Sequence, residues 1–343
     1  MKAVRIHEHG GPEKLIYETV EDPDPGPLDV VVRVKACALN HLDIWVREGL
    51  PTMKANLPHI LGCDISGVVE KAGSYVKDIT PGFETIVHPG ISCGVCEYCL
   101  KGMDSACRRY TIIGGWHVDG GYAELVKVPA RNILPKPEGM DFVHAAALPL
   151  TFLTAWHMLV TRGNLRPGET VLIHSAGSGV GVAGVQVAKL LGARVIATAS
   201  SDWKLEKIRS LGADETINYK KVDWLDEVKR ITNKAGVDLV FEHVGPDTFE
   251  KSVRALKTYG RIVTCGATSG PSVTLDLRYL FSKQLSLHGS YMGGLFEMKE
   301  VLRFINEGRL KPVVDSTFPL KDAARAHEKL TSREIFGKVV LIP

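Results

Sequence analysis

Glutamine is nearly missing from this chain: two occur in 343 residues, Gln186 and Gln284. Scarcity of a thermolabile amide hints at a heat-adapted source. No stretch approaches about 18 uninterrupted apolar residues, which excludes a membrane-spanning helix. Charge of one sign is lacking as well. The 42 Lys and Arg against 39 Asp and Glu leave a net charge of +3, with acids and bases interspersed, so charge gives no support to nucleic-acid or membrane binding. The opening MKAVRIHEHGGPEKL alternates and lacks the apolar stretch of a signal peptide. Seven cysteines is an odd number, and four are clustered, against the pattern of a secreted disulfide scaffold. What these absences leave is a cytoplasmic enzyme acting on a small molecule.

What is present divides near residue 150. A chain of 343 residues exceeds the roughly 150 typical of one domain, so two are expected. Before residue 150, short β-rich runs such as DVVVRVKACAL (29–39), ISGVVEKAG (65–73), ETIVHPG (84–90) and YAELVKVPA (122–130) alternate with Gly- and Pro-bearing turns. After it the rhythm is strand, helix, strand: TVLIHS (170–175), a helix through Leu191, ARVIATA (193–199), the helix DWKLEKIRSLG, DETINY, VDLVFEHVG (237–245) and GRIVTCGA (260–267). Apolar runs that short, alternating with helices, predict a parallel sheet buried on both faces. The closing GKVVLIP (337–343) reads as a strand that completes the first domain.

Between the first strand and helix of the second half lies HSAGSGVG, with Gly177, Ser178, Gly179 and Val180 at the turn. Backbone N–H groups at such a helix start suit a pyrophosphate. The spacing is G-x-G-x-G rather than G-x-G-x-x-G, so the surrounding βαβ pattern carries the nucleotide reading. An NAD enzyme usually has an acid about 20 residues past the glycines; here Ala199, Ser200 and Ser201 occupy that place. Asp202 reads as the N-cap of the next helix. Ser200 and Ser201 hydroxyls with the charge of Lys204 suit a 2′-phosphate, which favours NADP(H) over NAD(H). Cys93, Cys96, Cys99 and Cys107 give C-x2-C-x2-C-x7-C. Four thiolates fill a tetrahedral zinc shell and leave no open position, the mark of a structural site. Iron–sulfur runs begin alike but close with a three-residue gap and a proline; here the gap is seven and Arg108 follows. Cys37, Cys63 and Cys265 are isolated and read as small buried residues.

The cysteine lobe, the AGSGVG turn and the closing FGKVV together resemble the medium-chain dehydrogenase/reductase superfamily, in its zinc-containing alcohol dehydrogenase branch. The resemblance implies an α/β chain: a GroES-like β-barrel catalytic domain from residues 1–151 and 288–343, its zinc lobe at about 92–108, and an inserted Rossmann doubly wound parallel sheet at 152–287. It also exposes departures. Where the family has C-x-[ST]-D, this chain has NHLD, with Asn40 for the metal-binding Cys and Leu42 for the hydroxyl; Asp43 alone matches. GCD (Gly62, Cys63, Asp64) replaces G-H-E, and the third ligand falls at or near Leu150. A conventional catalytic zinc is therefore not expected, and ALNHLDIWVREG is similar to the zinc-free quinone oxidoreductase branch.

On this resemblance Asn40 and His41 are the catalytic candidates and also cofactor contacts, with His41 the better placed for a pyrophosphate. Thr154 would pack on the nicotinamide and Tyr219 would serve the 2′-phosphate region. His243, Val244, Gly266, Ser290, Tyr291 and Lys338 would line the dinucleotide site, Lys338 as a phosphate contact; His243 reads equally well as a histidine satisfied at a strand end. Activated acceptors follow: quinones, enones or aryl ketones. Two other readings stay open, an alcohol dehydrogenase that rebuilds a metal site from Cys63, Asp64 and a histidine, and a non-catalytic nucleotide-binding protein. A homodimer or homotetramer is expected through the segment 273–293, whose flanks read as β-rich.

Overall fold

The computed structural model describes residues 1–50 and 53–343, and the chain divides into two compact units. The first holds Met1–Leu150, Gly293–Asn306 and Lys311–Pro343; the second holds Thr151–Met292 and Glu307–Leu310.

The first unit is built on the ten-residue strand Asp29–Ala38. Its β-branched run DVVVRVKACA suits a pleated, buried surface. The sheet order is Ile133–Pro135, Glu84–Val87, Asp64–Ala72, Asp29–Ala38, Lys338–Ile342, Val314–Pro319, and Leu125–Pro129 also pairs with Asp29–Ala38. Val30, Val32, Val34, Ile65, Tyr122 and Leu341 share one buried core. The C-terminal strand completes this unit by antiparallel pairing of Leu341 with Cys37 and of Val340 with Ala38. On the other side Ala38 pairs with Asp64. These two registers bring Asn40, just past the strand, close to both Asp64 and Lys338.

The second unit carries six parallel strands in the order Glu215–Asn218, Arg194–Ala199, Thr170–Ile173, Val237–Glu242, Leu256–Thr264, Ser286–Gly289. Numbered along the chain this is 3-2-1-4-5-6, the Rossmann order, whose switch point lies between the first and fourth strands. Val171, Leu172, Ile173, Leu239, Val240 and Phe241 in those two strands are wholly buried, as their unbroken apolar runs predict.

Three sequence expectations change. The domain boundary expected at 287/288 falls after Met292, because Ser286–Gly289 pairs with Leu256–Thr264 and belongs to the second sheet. The other boundary falls between Leu150 and Thr151, one residue early. Segment 273–293 is β-rich on its second flank only: Leu277–Ser282 is a helix, begun by Asp276, whose carboxylate accepts from the Arg278 N–H. Among the described residues no helix is long and apolar enough to cross a membrane.

Candidate active site and metal lobe

The four clustered cysteines converge. Their sulfurs all lie within 4.8 Å of one another, with Cys93 Sγ to Cys99 Sγ at 3.9 Å and Cys96 Sγ to Cys99 Sγ at 3.5 Å. A tetrahedral zinc–thiolate site has edges of about 3.8 Å, given Zn–S bonds of about 2.3 Å. The short helix Glu97–Leu100 and the turn Asp104–Ala106 bring Cys99 and Cys107 round to face Cys93 and Cys96. Backbone N–H groups of Val95 and Cys96 hold the Cys93 thiol down to about 5, and the N–H groups of Cys93 and Arg109 point at Cys107 Sγ, each at 3.4 Å. Burial pushes Cys99 the other way, to about 11. The donor set thus fits one metal ion with a closed shell. Among the described residues it is the one group of three or more His, Cys, Asp or Glu side chains whose ligand atoms converge in this way.

The second cluster forms where the strand Asp29–Ala38 gives way to the helix His41–Glu48, with Asn40 at the N-cap. Asn40 Nδ2 donates to Asp64 Oδ2 at 2.9 Å and lies 3.4 Å from Cys63 Sγ. Its Oδ1 accepts from Lys338 Nζ at 2.6 Å, and Lys338 also donates to Asp64 Oδ2 at 2.9 Å. Asp64 Oδ1 accepts the Leu150 N–H at 2.7 Å. Positions 40, 63, 64 and 150 therefore meet, as the resemblance implies, but around an ammonium. Cys63 is fully buried and its thiol is pushed well up, by burial first and then by Asp64 and Asp43.

This geometry alters two sequence expectations. Lys338, expected to contact a phosphate, is 4% exposed and ion-paired with Asp64, because the register sets it opposite Asn40, where a buried carboxylate needs a counter-charge. Asn40 has both ends of its carboxamide engaged internally and so holds the cluster together rather than donating outward. His41, the first helical residue, is exposed, with its ring edge-on to Trp45 at 5.0 Å.

In the second unit, the remaining expected cofactor residues, Thr154 apart, lie at carboxyl ends of the parallel strands or on the segments that follow them. Ser178 caps the helix Gly179–Leu190, its hydroxyl accepting from the Gly181 N–H; Gly177 precedes it, and Gly179 and Val180 open the helix. A side chain at Gly181 would meet Ser175 O at 2.6 Å, so the turn packs too tightly for any residue but glycine. Ser201, not Asp202, is the N-cap of the helix Asp202–Ser210; Asp202 is drawn away by Asn218 and Lys221. Ser200 is half-buried beside it. Lys204 is buried, with Nζ 5.3 Å from the centre of the Trp203 ring. Tyr219 is exposed, and its N–H donates to Ala199 O at the end of the second strand. The hydroxyls of Ser201 and Ser290 are buried and, among the described residues, have no hydrogen-bond partner. Two unpartnered donors at expected cofactor positions fit a ligand rich in oxygen. Thr154 is buried on the helix Pro149–Trp156, and Val244, Gly266 and Tyr291 follow strand ends.

His243 proves to be satisfied: its Nε2 lies 2.8 Å from His174 O. Sequence reasoning missed the group beneath it. Glu242 is fully buried and accepts from the N–H groups of His243, Val244 and Gly245 and from the Thr248 and Ser252 hydroxyls. Burial opposes its charge, yet His174 and the Val244 N–H bring it below the usual carboxylate range. His174 is pushed down to about 4 by burial, and its Nε2 meets the Ser252 hydroxyl at 3.0 Å. This polar core ties the ends of the first and fourth strands together at the switch point. A carboxylate at the strand end, directly after the apolar Leu239–Phe241, was its one visible signal.

Comparison with known proteins bears on the two units as a whole. Residues 26–138 match the family model of the alcohol dehydrogenase GroES-like domain, and residues 179–307 match that of zinc-binding dehydrogenases. The chain is 33% identical to a 2-haloacrylate reductase from a Burkholderia species, over 99% of this chain and 98% of that one. It is 30% identical to a quinone oxidoreductase of Rattus norvegicus, over 100% and 98%. A solved structure described as an NAD-dependent alcohol dehydrogenase is 50% identical and superposes with a TM-score of 0.96, over 100% of both chains.

Proposed function

The chain belongs to the zinc-type medium-chain dehydrogenase/reductase superfamily, and from that premise we propose that this NAD(P)-dependent oxidoreductase uses NADP(H) to reduce electron-poor double bonds and activated carbonyls, with one structural zinc and no metal at the catalytic position. The observation that carries the reading is Lys338 Nζ, bonded to both Asn40 Oδ1 and Asp64 Oδ2. A fixed cation there opposes a second, divalent one, and leucine at position 150 offers no ligand atom. Without a Lewis acid the carbonyl is polarised only weakly, which suits acceptors that are already electron-poor. Two relatives are named for such compounds, a haloacrylate and a quinone.

Cys93, Cys96, Cys99 and Cys107 would hold the zinc, which as a closed thiolate shell contributes to folding. For the dinucleotide, the turn from Gly177 to Gly181 would meet the pyrophosphate, His41 would add a contact to it, and Ser200, Ser201 and Lys204 would meet the 2′-phosphate. When bound, the reduced nicotinamide supplies hydride. Asn40, Asp64 and Lys338 keep the first turn of the helix His41–Glu48 in place. A homo-oligomer is part of the same proposal, through the exposed edge strand Ser286–Gly289.

One observation favours a second reading: the 50% identical structure is described as an NAD-dependent alcohol dehydrogenase. Steady-state assays with NADPH and NADH against enones, quinones, aryl ketones and aliphatic aldehydes separate the two. The proposal expects NADPH-driven turnover of the conjugated acceptors and at least about a tenfold preference for NADPH, roughly 1.4 kcal/mol. NAD-dependent oxidation of simple primary alcohols, with the conjugated acceptors left untouched, overturns it in favour of the second reading.

A further inference from the structure

Behind Asn40 lies a second arm of buried polar groups that the function above does not use. Asp43 is wholly buried. Its Oδ2 accepts the Asn40 N–H at 2.7 Å and the Tyr122 hydroxyl at 3.1 Å. The Tyr122 oxygen lies 3.1 Å from His327 Nε2, and His327 Nδ1 lies 2.9 Å from Arg47 NH1. Arg47 is 1% exposed and is held in turn by Gly10 O at 3.0 Å and Glu48 Oε1 at 2.5 Å.

Chemistry fixes the direction of every link. A guanidinium only donates, so His327 Nδ1 must accept. A neutral imidazole with Nδ1 accepting carries its proton on Nε2 and donates it to the Tyr122 oxygen. That leaves the Tyr122 hydroxyl proton for Asp43. His327 is indeed neutral: burial, with Arg47 adding, pushes it down to about 3. While Asp43 is ionised the chain therefore runs one way, from the cation Arg47 to its carboxylate. Local packing is shaped around it. Gly62 has φ +98°, and a Cβ there would meet the Tyr122 ring at 2.4 Å, so glycine before Cys63 is what admits the ring.

We propose that Tyr122, His327 and Arg47 are positioning residues: their one-way hydrogen-bond chain fixes Asp43, which holds the Asn40 N–H and so sets the first helical turn from which His41 meets the cofactor. The inference rests on the reading of His41 as a cofactor contact given above. Its ionic side does not. Asp43 Oδ1 is buried without a partner among the described residues, and Asp64, Lys338, Tyr122, Cys37 and Cys63 are the titratable groups that act on it or feel its charge. Burial outweighs the donors and pushes Asp43 up to about 6. A carboxyl raised on folding binds its proton more tightly in the native state, so its contribution to stability falls as pH rises towards that value. Removing a donor to the carboxylate makes the fall larger.

The test is Tyr122→Phe, which deletes one hydroxyl and keeps the ring, set beside His41→Gln and the double variant. Titration with NADPH, followed by fluorescence, should show Tyr122→Phe weakening binding by about tenfold, with kcat at saturating NADPH within about twofold of the native enzyme. The double variant should bind no more weakly than His41→Gln alone, because both changes remove the same contact. Native-like affinity in Tyr122→Phe, or losses that add in full, overturns the positioning claim. Thermal unfolding supplies an arm independent of cofactor: the Tm gap between native protein and Tyr122→Phe should be wider at pH 8 than at pH 5. An equal gap at both overturns the chain as a device acting on the Asp43 charge. If His41→Gln itself binds NADPH normally, the reading of His41 falls and with it the positioning claim, while a pH-dependent gap would still support the chain acting on Asp43.

Discussion

Lys338 shows how one side chain redirects a site. In the closing FGKVV the resemblance makes it a phosphate contact, yet antiparallel pairing of Val340 with Ala38 sets it opposite Asn40 and against the buried Asp64. Both partners of that ion pair are nearly inaccessible, so neither charge is compensated by water. Removing one partner of such a pair typically costs about 3–5 kcal/mol, because the other charge is left buried alone. Lys338→Met should therefore destabilise the protein by that order in urea unfolding, and Asp64→Asn added to it should recover part of the loss. A Lys338→Met protein as stable as the native one would show that the ammonium is not the counter-charge of Asp64. Sequence pattern cannot reveal such a contact: residues 40, 64 and 338 are joined only by strand register.

Elements with strong local signals were legible; those set by long-range pairing were not. The largely apolar segments at 170–173 and 237–242 became the central parallel strands because short segments of that kind between helices have few other solutions. The C-terminal strand and the cysteine lobe were equally plain. Segment 273–293 was not, since Leu277–Ser282 is a short helix whose apolar residues Leu277 and Phe281 are exposed, with no periodic burial to announce it. The Arg47–Tyr122 chain stayed hidden because its groups are far apart in sequence, and Glu242 because nothing in the local pattern shows that its carboxylate turns inward. The lobe itself is tied to its unit by Arg131 donating to Ser92 O at 3.2 Å and by the Leu295 N–H on Asp104 Oδ2 at 3.0 Å. With four thiolates closing the shell, Cys107→Ser should release the metal and lower Tm while surviving protein keeps its order of preference among acceptors. A changed preference at unchanged Tm would place the lobe in the chemistry instead of the fold.

At the scale of the whole molecule, the exposed edge of the parallel sheet is a surface that proteins usually cover. Ser286–Gly289 forms that edge, with Leu287 and nearby Phe281 exposed, and two-fold pairing is the commonest way to close such a face. Light scattering should return a dimer or tetramer at micromolar concentration, and a monomer alone would remove the proposal. The account as a whole turns on one division of labour: zinc belongs to the lobe, while Asn40, Asp64 and Lys338 occupy the place where the superfamily resemblance puts a catalytic metal. Elemental analysis of dialysed protein, paired with NADPH-driven turnover of an enone before and after treatment with a chelator too mild to unfold the chain, tests this most directly. The account predicts close to one zinc per chain, bound by Cys93, Cys96, Cys99 and Cys107, and turnover unchanged by the chelator. Close to two zinc ions per chain, with activity lost before any unfolding, would contradict it.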